Sequence, residues 1–93
     1  MRIIGTIEHP ALKITAFKTE DRLSVKFEFG LMEQVFKFRE REGLRDFDDV
    51  SRMVDKPMLD AVAEIFKTML HAREQACLRL IPPEEANEFE VII

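Results

Sequence analysis

Histidine, cysteine, serine and carboxylate side chains are the groups here that could do chemistry, and their spacing offers little of it. The chain has two histidines, His9 and His71, and one thiol, Cys77. A protein zinc site takes three or four ligands at short spacings, and neither a CxxC pair nor an HExxH helix is present. His71 and Glu74 stand one helical turn apart, an edge of two ligands with no third placed by the sequence. The acids Asp46, Asp48 and Asp49 open like a calcium loop. The pattern then fails at Ser51, where glycine is needed, and at Pro57, where a bidentate glutamate belongs. Neither Ser24 nor Ser51 lies in a G-x-S-x-G turn. Gly5, Gly30 and Gly43 are too far apart to cradle a phosphate. Cys77 falls among apolar helix positions, where a thiol is expected to act as a small, inert core residue. Only a site shared across a dimer, joining His71 and Glu74 from two chains, would restore catalytic chemistry. The sequence therefore points away from an enzyme and implies no catalytic residue, cofactor or metal.

Nucleic-acid binding has a better claim on the residues. KFEF and VFKFRE interleave phenylalanine with lysine and arginine, as base-stacking sheet platforms do. Strict alternation, however, sends the rings and the cations to opposite faces of a strand. Phe27, Phe29, Phe36 and Phe38 are thus expected in the core, and the RNA-recognition pattern K/R-G-F/Y-G/A-F-V-x-F/Y is not met. What remains is a basic outer face of Arg22, Lys26, Lys37 and Arg39, diluted by Glu28 and Glu33. The net charge is −4 and the pI near 5.2, which disfavours general affinity for polyanions. The charge is also unevenly spread: residues 1–45 carry a net of +2 and residues 46–93 a net of −6.

The elements that must position these groups follow from periodicity. RLSVKFEF (22–29) sets Leu23, Val25, Phe27 and Phe29 on one face and Arg22, Ser24, Lys26 and Glu28 on the other, the signature of a half-buried antiparallel strand. ALKITAFK (11–18) and EQVFKFRE (33–40) alternate in the same way, leaving Phe17 and Val35 on the polar side. RIIGTIE supplies a fourth strand, closed by His9-Pro10. Gly30 is the expected turn residue, since it takes a positive φ cheaply. The charge run 39–49 ends the sheet, and Asp46 reads as the N-cap of a short helix at 46–54. Asp55-Lys56-Pro57 starts a second and longer helix, 57–80, free of internal glycine and proline. EFEVII (88–93) reads as a closing strand after Pro82-Pro83.

The expectation is therefore a single α+β domain over residues 1–93. A four-stranded antiparallel meander (1–40) packs on one face against the long C-terminal helix, with a short preceding helix and a closing C-terminal strand. With 46 % hydrophobic residues and 34 % charged, one core suffices for a chain of 10.9 kDa. Apolar runs never exceed three residues and no signal peptide is visible, so no membrane span and a cytoplasmic location are expected.

Length adds one more inference. A helix of 24 residues spans about 36 Å, whereas strands of seven or eight span about 23–27 Å. The helix must overhang its sheet while Ala76, Cys77 and Leu80 keep its apolar stripe going, interrupted by Arg73. Together with Phe89, Val91 and Ile93 these residues form a candidate self-association surface, and a non-catalytic interaction module acting as a homodimer is the expected function. The face assignment is checked by denaturant melts. Phe27→Ala should cost about 3–5 kcal/mol and outward-facing Lys26→Ala about 0.5 kcal/mol or less; equal costs would show the faces to be reversed.

Overall fold

Alternation in β3 (Arg22–Phe29) builds the centre of the molecule: Leu23, Val25 and Phe27 are almost wholly buried. Three further strands, β1 (Arg2–Ile7), β2 (Lys13–Thr19) and β4 (Met32–Arg39), complete a sheet of order β1-β2-β3-β4, antiparallel throughout. Two helices follow, α1 (Phe47–Met53) and α2 (Lys56–Leu80), giving an α+β fold. This computed structural model describes residues 1–39 and 43–81, so the closing strand expected at 88–93 lies outside the described residues.

Turn chemistry sets the register. Gly30 has φ +58° at the first position of the β3–β4 turn, as a type II′ hairpin turn demands. β2 starts later than the alternation suggested because His9 builds a local turn. Its Nδ1 accepts hydrogen bonds from the Ala11 and Leu12 amides, both at 3.1 Å.

Both helices are capped as their sequences require. The Asp46 carboxylate accepts from the Asp49 amide at 3.0 Å, and the Asp55 carboxylate accepts from the Met58 amide at 3.1 Å. Asp49 in turn accepts from the Arg45 amide at 2.9 Å and pairs with Arg52. The Arg45 amide first, then the Arg52 guanidinium, hold the Asp49 carboxyl below its ordinary value.

Both helices cover the same sheet face. α1 seats Val50 in the core and lays the Phe47 ring over Gly5 in β1. β1 carries a bulge between Ile3 and Gly5, where the extra residue lets the strand bend beneath that ring. α2 buries only Val62 and Phe66 fully, with Met58, Leu59 and Met69 partly covered. Gln34, on the inner face of β4, is buried too; its amide Nε2 donates to the Val62 carbonyl at 2.9 Å, while its Oε1 has no partner among the described residues.

The core differs from the sequence expectation in two places. Phe29 is 45 % exposed, because β3 runs out at the turn; the Phe66 ring, 5.9 Å away, covers it in part. Cys77 is exposed instead of buried, because α2 has left the sheet by that point.

The approach of α1 to β1 is testable. A Cβ on Gly5 would lie 2.5 Å from the Phe47 ring, although no positive φ is needed there. Gly5→Ala should therefore cost about 1–3 kcal/mol by overpacking, and much less in a Phe47→Leu background. An undiminished cost in the double-mutant cycle would show that the ring is not the cause.

Candidate functional site

Three surfaces have side-chain arrangements that the fold itself does not use. The outer sheet face, opposite the helices, is the first. Cross-strand register places Arg22 directly against Arg39, Ser24 against Lys37, Lys26 against Val35 and Glu28 against Glu33. All four sequence-predicted cations thus share one face, with no described element packed over it. They are not equivalent. Lys26 is held by Glu28 at 3.2 Å, and its ammonium lies over the Phe17 ring, 5.2 Å from the centroid. Arg22, Lys37 and Arg39 gather at the opposite end of the ladder, where Asp21, 4.0 Å from Arg22, is the one acid in salt-bridge range among the described residues. Arg22 facing Arg39 is a like-charge cross-strand pair, which costs stability unless an anion joins it.

The distal part of α2 is the second surface. As residue numbers rise along α2 they fall along β4: Val62 lies by Gln34, and Phe66 by Phe29 near the Gly30 turn. The helix therefore runs out past the β3–β4 turn. Its 25 residues span about 37 Å, and the longest principal axis of the molecule is 55 Å against 25 and 19 Å across. Leu70, Leu78 and Leu80 are exposed, Leu80 by 83 %. Of the predicted self-association residues, Arg73, Cys77 and Leu80 are exposed on this segment and Ala76 is half-buried. Phe89, Val91 and Ile93 lie outside the described residues.

Where α2 leaves the sheet, a third surface opens. A groove of about 320 Å³ is walled by Leu12, Phe29, Met32, Leu59, Phe66 and Leu70, with His9, Asp60 and Lys67 at its rim. Its helical wall follows the spacing 59, 63, 66, 70, and Arg73 and Cys77 continue that line into the overhang. The groove was not read from the sequence. Alternation gives the inward face of a strand but not how far along it a helix provides cover. The one available signal was the apolar pair Leu31-Met32 at the turn beside Phe29.

Among the described residues, no group of three His, Cys, Asp or Glu side chains stands close enough to hold a metal ion. His71 and Glu74 are both exposed on the overhang. No helix among the described residues is long and apolar enough to cross a membrane. Comparison with protein families, with curated proteins and with solved structures finds no match for this chain.

The arginine pair has a measurable signature. Arg39→Thr should stabilise the fold by roughly 0.2–1 kcal/mol at low salt, and the gain should shrink as salt screens the pair. Thermal melts at two ionic strengths check this; a loss of stability at low salt would mean that the two guanidinium groups are held apart or bridged.

Proposed function

We propose that this protein is a non-catalytic interaction module that associates with a second copy of itself through the distal part of α2 and the segment 88–93. One observation carries the reading. α2 continues past its sheet with Leu70, Leu78 and Leu80 exposed, and a helix that keeps apolar residues beyond its own core has surface to bury elsewhere. Arg73 on the same segment is compatible with such a contact, because a long cationic side chain can lay its stem on apolar surface and meet an acid at the edge. Light scattering should find a dimer at micromolar concentration. Leu78→Glu combined with Leu80→Glu should yield a monomer of unchanged helix content, because neither leucine contributes to the core. A full-length monomer at that concentration would sink the reading.

A second reading is favoured by one specific arrangement, the convergence of Arg22, Lys37 and Arg39 on the uncovered sheet face. Three clustered cations suit phosphate groups, so a weak nucleic-acid accessory role is the alternative. Mobility shift against single-stranded DNA or RNA separates the two. Binding that persists at moderate salt and falls in Lys37→Glu supports the alternative; none at low salt removes it.

A further inference from the structure

β4 is an edge strand, and its free side has a pattern of its own. The hairpin at Gly30-Leu31 is closed by the pair Phe29 and Met32, so Met32, Gln34, Phe36 and Phe38 exchange backbone hydrogen bonds with β3. Glu33, Val35, Lys37 and Arg39 turn their amides and carbonyls the other way, where no described strand meets them. The opposite edge, β1, is broken by its bulge between Ile3 and Gly5. β4 pairs without a bulge over its whole length and contains no proline, so it lacks two of the usual guards against edge pairing. Phe36 and Phe38 on its inner face are only half-buried, and Val35 on its outer face is 46 % exposed.

Charge is the remaining guard, and in β4 it is arranged with a two-fold sense. The strand has an acid, Glu33, near its start and two cations, Lys37 and Arg39, at its end. Each end faces its own sign on β3: Glu33 lies against Glu28, and Arg39 against Arg22. Lys26 holds Glu28 at 3.2 Å and Asp21 stands 4.0 Å from Arg22. Among the described residues, however, no ion pair reaches Glu33, Lys37 or Arg39. A second β4 laid antiparallel about a two-fold axis at Phe36 brings Glu33 against the partner's Arg39, and Arg39 against the partner's Glu33. The same register sets Val35 beside the aliphatic stem of the partner's Lys37. It also brings the two Phe36 rings together, extending the edge-on Phe27–Phe36 pair, whose centroids are 5.8 Å apart. Four residue pairs then exchange two backbone hydrogen bonds each. An axis at Lys37 would set that cation against itself, and one at Val35 would send Arg39 opposite Leu31 in the turn. The chain's own EFEVII offers Glu88 and Glu90 and no cation, so it has nothing to meet Glu33.

We propose that two copies of this chain pair antiparallel along β4 about a two-fold axis at Phe36, joining their four-stranded sheets into one continuous sheet. The contact uses none of the distal α2 residues and goes beyond the self-association reading. An edge of eight residues buries less than a standard interface and belongs to the weak, transient class, so it forms well above micromolar concentration. Together with a contact through α2 it links dimers into larger assemblies, because each interface is used once by each copy.

The test uses the full chain carrying Leu78→Glu and Leu80→Glu, which removes the distal-helix contact, in sedimentation at submillimolar concentration and low salt. A dimer is expected there. Glu33→Arg and Arg39→Glu each set like charges against one another across the axis, and each should weaken pairing by roughly tenfold or more. Mixed one to one, the two variants should restore it, because every cross-axis pair is then arginine against glutamate. Each change also removes a like-charge pair with β3, so a loss of pairing is not a loss of folding. A chain that stays monomeric at that concentration overturns the proposal. If a dimer then appears only on stopping the chain after Asn87, the chain's own segment holds the edge, and the proposal is overturned on that ground. A dimer indifferent to the swaps, or one that mixing does not restore, overturns it too. The distal-helix reading is decided by the unchanged chain at micromolar concentration, where edge pairing is too weak to count, so the two fail separately.

Discussion

A sheet with one apolar face must be covered by whatever chain remains, and here that task falls to two helices of very unequal length. α1 closes the β1 side, where the Phe47 ring sits against Gly5. α2 closes the β4 side, where Val62 and Phe66 are its two fully buried residues. Because α2 meets the sheet in its first half only, everything beyond Leu70 is left over: the exposed leucines, the exposed thiol and the open groove at the point of departure. Two of the three candidate surfaces, the overhang and the groove, are consequences of that one mismatch in length.

The outer sheet face obeys a different constraint. No described element covers it, so its side chains must satisfy one another, and at one end cations and acids balance, although Glu28 also faces Glu33. Lys26 is held between Glu28 and the Phe17 ring, with Lys13 across from Glu28. At the other end Arg22 and Arg39 face each other with Lys37 alongside. A face balanced at one end and repulsive at the other carries an electric asymmetry that a chain of net −4 does not advertise.

Most of the fold was legible because its signals are local. The alternation in RLSVKFEF, the positive φ at Gly30, the N-caps Asp46 and Asp55, and Pro57 in the first turn all act within a few residues. What was not legible depends on relative placement. Cys77 reads as core because helical spacing reports which face of a helix is apolar and not whether anything lies against it. Phe29 reads as core for the same reason, although β3 ends there. The groove escaped because it belongs to three segments distant in sequence, meeting at Leu12, Met32 and Phe66. Gly5 read as a plain strand residue; that it marks both a bulge and the seat of an aromatic ring needed the helix in place.

Gln34 gives the sheet an unexpected hold on the far end of the molecule. Its bond to the Val62 carbonyl is the sole buried side-chain hydrogen bond from the sheet to α2 among the described residues. Apolar contacts would tolerate some rolling of a helical cylinder on its bed, whereas a hydrogen bond to one carbonyl fixes its rotational phase. Leu78 lies sixteen residues further on, about 24 Å along the same rigid rod. α2 is therefore a lever whose bearing is a single amide, and the compass direction of the distal leucines is decided at residue 34.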